Sequence, residues 1–366
     1  MSRTYFLNAE FDLSLRARPL WQARPTLRRQ VEELSLQALI GATAQDAALL
    51  RCDVDDSFIE HLRRQGIEVP QRIRRFDDGI LTPHGWNAEA IELNARSSTP
   101  VPHPSLDVVE RVNSRRFALA LETSPPGEWI DQLSQLERWV AAHPCSSFVI
   151  KGDHGNSGLA NRRLTSTLDE ADRKFAERLL EEDDGFIVEP WFDRVDDWCY
   201  VFDVPFRAET FRVYEMIGTT DGALIGSLFY PSVDDPGLGP EAERIASVLA
   251  AEGYVGPVCC DALRYRDGDA LKLRPLVDLN ARRSVTDPGY RLYRQRAAGR
   301  FGYYRYFNRK KFSFPQSIEE LQNELTPREI VITSPLTVGK IAALFVADER
   351  DTIFENERWF RDRYER

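Results

Sequence analysis

A short pattern near residue 280 constrains this chain more than any other part of its sequence. The apolar run 276–279 predicts a strand, along which Asp278, Asn280 and Arg282 occupy alternate positions. Alternate residues of a strand project from one face, so we expect two oxygen donors and a cation side by side. Such a set suits Mg²⁺ that also binds substrate phosphates. A solvated strand face of alternating polarity is the other interpretation, and the apolar flanking residues argue against it.

A second run, 256–260, ends at Asp261 and also predicts a strand. If the two runs form a hairpin, Asp261 adds a third oxygen donor to the same face.

The apolar run 148–150 predicts a buried strand that ends at Lys151, and Gly152, Gly155 and Gly158 follow it. Glycines let backbone N–H groups approach an anion, and the lysine supplies a positive charge for phosphate oxygens. The lysine precedes the glycines, so the spacing is not that of a Walker loop. A plain loop between two strands has a similar sequence, and this stretch alone does not separate the two interpretations.

Between these stretches, the predicted strand 186–189 ends at Glu189-Pro190, and acidic residues follow it. In its order of strand, lysine, glycine-rich loop, helix, Glu-Pro strand end and Asp-x-Asn-x-Arg strand, the chain resembles the ATP-grasp superfamily over about residues 110–295. The order and separation of these motifs carry the resemblance, because none of them is specific alone.

The resemblance implies a set of nucleotide-binding residues. Lys151 matches the lysine that contacts the nucleotide phosphates, and Glu189 matches the hinge position beside the adenine. The remaining matches are the loop residues Gly155, Ser157 and Gly158 over the phosphates, and Asp193 or Asp197 at the ribose. The family's earlier lysine is replaced here by Arg115 or Arg116, although arginine is a rigid fork and not an equivalent point charge.

The resemblance also implies the metal and catalytic residues. Asp261, Asp278 and Asn280 match the Mg²⁺ ligands, and Arg282 matches the cation that faces the transferred phosphoryl group. Arg282 and Lys151 are therefore the expected catalytic residues. The family commonly has a glutamate where Asp278 stands, so the reach to the metal is one methylene shorter.

Composition fits a globular enzyme of this kind. The 366 residues are 42% hydrophobic and 29% charged, and no apolar run approaches the length of about 20 residues that a membrane span needs. The N-terminus lacks the apolar centre of a signal peptide, and the five cysteines lack a CxxC pair, so we expect buried thiols and a cytoplasmic location.

A net charge of −10 disfavours a non-specific nucleic-acid surface. Segment 294–311 nevertheless interleaves basic and aromatic residues, which can indicate base stacking. The favoured interpretation is a helix or loop that packs its aromatics on the core and lines an acidic-substrate cleft. Trp191 and Trp198 could flank a base, but aromatic residues after a strand more often belong to the core.

Periodicity divides the chain into three parts. Residues 1–110 alternate strand and helix patterns, including a capping-box pattern that opens a helix at Ser57, and predict a small parallel α/β domain, the Rossmann-like pre-ATP-grasp domain of the resemblance. Residues 111–295 form the expected ATP-grasp domain, with two α+β lobes holding nucleotide between them. Residues 296–366 predict a C-terminal α/β extension, with strands at 330–332 and 344–346.

The expected fold class is therefore α/β (α+β), and the expected function is that of a ligase that uses ATP and Mg²⁺. It would join a small-molecule carboxylate to an amine, an amino acid or peptide, through an acyl phosphate, with release of ADP and phosphate. No nucleophilic triad is recognisable, and this reaction needs none. The alternatives are an ATP-grasp kinase acting on a small molecule and a nucleotide-binding protein without catalysis. We expect no nucleic-acid or membrane partner, and a homodimer is a further possibility.

Overall fold

The protein folds around three β-sheets. The computed structural model describes residues 2–16, 25–122, 125–143, 147–154, 161–165, 167–219, 222–232 and 235–366. None of the helices in these ranges is long and apolar enough to cross a lipid bilayer.

The N-terminal sheet is parallel, as the sequence predicts. Its strands are β1 (Arg3–Phe6), β2 (Ala47–Leu49), β3 (Gln71–Ile73) and β4 (Ile80–Pro83), in the order β3-β2-β1-β4. The helices of this region are α1 (Phe11–Arg16), α2 (Pro25–Leu34), α3 (Asp56–Arg64) and α4 (Ala88–Ala95). The predicted capping box at Ser57 is wrong, because Asp55 caps α3 by accepting a hydrogen bond from the Ser57 backbone N–H.

The small sheet is antiparallel and lies in the middle of the chain. After α5 (Leu106–Val112) and α6 (Arg115–Leu121), its strands are β5 (Glu128–Ile130), β6 (Ser147–Gly152), β7 (Asn161–Thr165) and β8 (Phe186–Pro190), in the order β5-β8-β6-β7. Helices α7 (Leu133–Ala142) and α8 (Glu170–Asp183) pack on one face, where Leu136 and Leu179 meet Phe148 and Phe186 in a buried cluster. On the other face, α6 contacts β5 and β8, and residues of β6 and β7 line a cavity.

The large sheet has eight antiparallel strands in the order β13-β12-β9-β10-β11-β14-β16-β15. They are β9 (Asp193–Val204), β10 (Arg212–Gly218), β11 (Leu224–Phe229), β12 (Gly256–Asp267), β13 (Ala270–Asn280), β14 (Phe301–Asn308), β15 (Ile330–Ile332) and β16 (Lys340–Ala347). The helices of this part are α9 (Gly239–Ala251), α10 (Asp287–Arg296), α11 (Ile318–Leu325) and α12 (Arg350–Tyr364).

Strands from residues 296–366 continue the same large sheet, because β14 pairs with β11. The position predicted for the first domain boundary, residue 110, falls inside α5, and residue 295 falls in the last turn of α10. Backbone hydrogen bonds between β14 and β11 therefore join the C-terminal segment to the part of the sheet that precedes residue 295.

Segment 294–311 is mainly strand β14, so the helix or loop predicted there is wrong. Its aromatics do pack in the core, as expected, since Tyr303 and Tyr304 are fully buried. The structure has a cavity of about 1010 Å³ beside β1 and β2 and one of about 540 Å³ between the small and large sheets, and no residue of this segment lines either, which corrects the expected role in a cleft.

A glycine lets α10 approach β14 closely. A Cβ atom added at Gly289 would collide with the ring of Tyr304. Gly289→Ala should therefore be destabilising by about 1–3 kcal/mol through overpacking, although alanine is favoured over glycine inside helices by about 1 kcal/mol. Urea unfolding measures the change, with Arg294→Ala on the exposed side of α10 as control. A stability equal to or above that of the wild type would contradict this packing.

Candidate active site

A cavity of about 540 Å³ lies between the small sheet and the large sheet. Lys151 and Asn161 line it from β6 and β7, and the opposite wall comes from β9 to β13. Cavities of this size are typical of small-molecule sites, for which the usual range is about 300–1,000 Å³.

Strands β12 and β13 bring three oxygen donors together at this wall. Asp261 lies opposite Asp278 and Cys259 opposite Asn280 in the antiparallel register, so all four residues share one face and line the cavity. The hairpin that the sequence left as a condition is therefore present. Two carboxylates and an amide on one face form a donor set for a hard cation such as Mg²⁺.

The two carboxylates are electrostatically unfavourable without a cation. Burial and the neighbouring charge of Asp278 raise the pKa of Asp261 to about 7. Arg115 offsets part of the charge, since its Nη2 lies 3.2 Å from Asp278 Oδ2. A divalent cation at this position would remove the remaining repulsion, so the residues present fit Mg²⁺.

Arg282 follows β13 and is fixed by contacts from two directions. Its Nε donates to Asp12 Oδ1 at 2.8 Å, and its Nη2 donates to Asn280 Oδ1 at 3.0 Å. Asp12 belongs to α1 of the N-terminal region, so that region orients the guanidinium in the cavity wall.

Lys151 also lies in the cavity wall, where a buried carboxylate pairs with it. Its Nζ forms an ion pair with Glu189, whose other oxygen is 2.9 Å from Arg274 Nη1. Burial alone would raise the pKa of Glu189, but the charges of Lys151 and Arg274 outweigh it and hold the pKa at about 2.

Glu189 itself does not line this cavity, and the residue is only 4% exposed. The resemblance implies a hinge position beside the adenine for Glu189, and this stays a prediction; in the structure its carboxylate pairs with Lys151 and Arg274. Glu189 thus fixes the lysine in position and keeps its charge compensated.

The two arginines proposed for the early lysine have different positions. Arg115 is buried, lines the cavity and donates from Nη1 to the backbone oxygen of Gly152 at 2.5 Å. Arg116 is exposed, with its guanidinium carbon 5.3 Å from the ring centre of Trp129, and does not line the cavity.

The two candidate ribose contacts, Asp193 and Asp197, also differ in position. Asp193 is exposed at the start of β9, away from the cavity lining. Asp197 lines the cavity and pairs with Arg194, whose Nη1 is 3.3 Å from Asp197 Oδ1. The glycine-loop candidates Gly155, Ser157 and Gly158 lie outside the described residues.

An aromatic side chain for which the sequence favoured a place in the core lies in the cavity wall. Trp191 lines the cavity, and the guanidinium carbons of Arg163 and Arg194 lie 4.7 and 4.8 Å from its ring centre. The expectation that Trp191 belongs to the core is therefore wrong, whereas Trp198 is buried in a core cluster as expected. The position of Trp191 directly after Glu189-Pro190 was the sequence signal for a place in the cavity wall.

Two further polar groups in the wall were also missed. Asn161 Oδ1 and Ser227 Oγ are buried and accept or donate no hydrogen bond among the described residues. Buried polar atoms normally have partners, so these atoms are available to a ligand.

Comparison with known proteins identifies similar folds but no similar sequences. No protein-family model matches the chain, and no curated protein matches it. An ADP complex of the N5-carboxyaminoimidazole ribonucleotide synthetase purK has a TM-score of 0.56 at 13% identity, covering 98% of this chain and 95% of that one. The Staphylococcus aureus N5-carboxyaminoimidazole synthetase with ADP has a TM-score of 0.56 at 10% identity, covering 98% and 96%.

A third structure is the N5-carboxyaminoimidazole synthase of Aspergillus clavatus, in complex with ADP and 5-aminoimidazole ribonucleotide. Its TM-score is 0.52 at 13% identity, with 99% of this chain and 98% of that chain covered. These comparisons establish the fold over nearly the whole chain.

Removing the Glu189 carboxylate should destabilise the protein in a pH-dependent way. Glu189→Gln leaves Lys151 and Arg274 without their shared anion, and loss of one partner of a buried ion pair costs about 3–5 kcal/mol. The pKa of Glu189 is about 2 in the folded state, whereas its usual value is 4.5. The stabilisation by its charge is therefore present above pH 4.5 and is lost as the pH falls towards 2.

Urea unfolding at about pH 7 and about pH 3 measures this dependence, and the difference between wild type and variant should shrink at the lower pH. Glu128→Gln, an exposed residue on the adjacent strand β5, is the control and should change little. An equal loss for Glu189→Gln at both pH values would show that the charge of Glu189 is not what stabilises the fold.

Proposed function

We propose that this chain, which has the ATP-grasp fold of its structural neighbours, is a Mg-ATP-dependent carboxylate–amine ligase. The observation that carries the proposal is one cavity lined by two cations, Lys151 and Arg115, and by the three oxygen donors Asp261, Asp278 and Asn280. Cations and metal ligands in one cavity are what a bound triphosphate with its metal requires.

The nucleotide phosphates would lie between the two sheets. Lys151 and Arg115 supply positive charge, and both are held rigidly by buried partners. Trp191 and Asp197 also line the cavity and are available to the base and the ribose hydroxyls. Asp197 is the better of the two ribose candidates because Asp193 is exposed.

Asp261, Asp278 and Asn280 would hold Mg²⁺ against the phosphate oxygens. Bound there, the metal supplies neutralisation of the negative charge that develops on the transferred phosphoryl group. A bound Mg²⁺ would explain why Asp261 and Asp278 lie side by side, since two carboxylates repel one another when no cation lies between them.

The reaction would begin with attack of a substrate carboxylate on the γ-phosphoryl group, which gives an acyl phosphate and ADP. An amine then attacks the acyl carbon, phosphate leaves, and an amide or peptide bond results. Arg282, fixed by Asp12 and Asn280, would orient the transferring group, while Lys151 compensates phosphate charge. The chain's part is positional and electrostatic, so no protein nucleophile is needed.

The first experiment measures ADP release by the purified protein with Mg-ATP and pools of amino acids and small carboxylates. We expect ADP that depends on both an added carboxylate and an added amine. AMP in place of ADP would exclude the acyl-phosphate route. ADP with a stable phosphorylated product and no amine requirement would instead support the kinase. Mg-dependent ATP binding without turnover on any pool would favour a nucleotide-binding protein.

The metal ligands predict a specific loss in this assay. Asp278→Ala combined with Asn280→Ala should abolish Mg-dependent ADP release, because one carboxylate alone remains for the metal. Asp269→Ala, an exposed acid at the turn of the same hairpin, is the matched control and should keep its activity. Retained turnover in the double variant would contradict the metal assignment.

Arg282 predicts a different kinetic signature. Arg282→Lys keeps the charge but loses the fork that Asp12 and Asn280 orient, so kcat should fall by about 10²–10³-fold, the usual effect of losing one group that stabilises transition-state charge. ATP affinity, measured by calorimetry, should change far less. Arg266→Ala on the exposed end of β12 is the control. A variant with normal kcat would exclude a role for Arg282 at the reacting group.

A further inference from the structure

Two cysteines and an aspartate form a compact cluster in the cavity wall. The Sγ atoms of Cys199 and Cys259 are 3.0 Å apart, and both side chains are buried. With a carboxylate oxygen of Asp261, the potential ligand atoms all lie within 4.8 Å of one another. All three residues line the cavity between the sheets.

The cluster follows from the register of two neighbouring strands. Asp261 lies opposite Cys199 in the antiparallel pair of β12 and β9, and Cys259 lies opposite Val201. Cys259 and Asp261 are two residues apart on β12, so they point to the same face as Cys199. The backbone of the large sheet therefore fixes the arrangement.

The register disfavours a disulfide between the two thiols. Cys199 and Cys259 are diagonal neighbours across the strand pair, and such positions are about 7–8 Å apart. A disulfide usually requires Cα atoms within about 4.4–6.8 Å. A bound metal relaxes this limit, because two metal–sulfur bonds of about 2.3 Å lie between the cysteines in place of one S–S bond.

We propose that Cys199, Cys259 and Asp261 form a binding site for a thiophilic divalent cation, Zn²⁺ or Cd²⁺. Two metal–sulfur bonds form, the two S–H bonds break, and both protons pass to the solvent. Asp261 supplies the third ligand, and the fourth position opens to the cavity. Thiolate sulfur selects such soft cations, whereas oxygen donors suit Mg²⁺.

The site would interfere with nucleotide use, and this part rests on the proposed function. Asp261 is also one of the three oxygen donors proposed for Mg²⁺, so both metals cannot use it in the same way at once. A thiophilic cation would therefore inhibit Mg-dependent turnover by occupying the metal-binding wall of the cavity.

Titration of the wild-type protein with Cd²⁺ tests the site directly, through the ultraviolet charge-transfer band of thiolate bound to cadmium. We expect the band to saturate at one equivalent and to be lost in both Cys199→Ala and Cys259→Ala. The matched control is Cys260→Ala, because Cys260 is the next residue on β12 and is buried in a different core cluster. No saturable band in the wild type, or a band retained in both variants, would overturn the proposal.

X-ray absorption of wild-type protein loaded with one equivalent of Zn²⁺ needs no variant that could misfold. Two sulfur ligands at about 2.3 Å are expected. One sulfur or none would overturn the proposal. Asp261→Asn, which keeps both thiols, should weaken Cd²⁺ binding by at least about tenfold. Unchanged affinity in this variant would remove Asp261 from the site.

Inhibition separates this inference from the proposed function. If the cadmium band forms and Cd²⁺ also inhibits ADP release, both proposals are supported. If the band forms but the wild type releases no ADP with any substrate pool, the ligase fails and the metal site stands. If ADP release occurs and is insensitive to saturating Cd²⁺, the inhibitory role is overturned.

Discussion

The antiparallel pairing of β12 with two partners determines what the cavity between the sheets can bind. Strand β12 pairs with β13 on one side and with β9 on the other. This register places Asp261 beside Asp278 and opposite Cys199, and a shift by one residue would turn Asp261 away from the cavity. The oxygen donors proposed for magnesium and the thiols proposed for a softer cation therefore come from the same backbone hydrogen bonds.

Three of the cations that line the cavity are each paired with a carboxylate. Lys151 has Glu189, Arg115 has Asp278, and Arg282 has Asp12 as partner. Each pair is buried or nearly so, which costs desolvation but holds every side chain in one orientation. A highly charged ligand can bind in such a cavity with little rearrangement of these side chains.

Period-two spacing made the face of β13 predictable from sequence, since Asp278 and Asn280 needed only a strand to lie together. The parallel N-terminal sheet also followed from local alternation of strands and helices. In contrast, the choice between Arg115 and Arg116 depends on which side of α6 faces the small sheet, and neighbouring residues carry no signal for that. The pairing of Glu189 with Arg274 joins residues far apart in the chain, so a match to a hinge motif could not reveal it.

The contact between Asp12 and Arg282 joins residues 270 positions apart in the chain. The N-terminal region thus supplies one of the contacts that orient the guanidinium, beside those to Asn280 and Arg283. A movement that separates the N-terminal region from the large sheet would remove the Asp12 contact. In the function that we propose, docking of the N-terminal region would therefore help to place the Arg282 guanidinium at the transferred phosphoryl group.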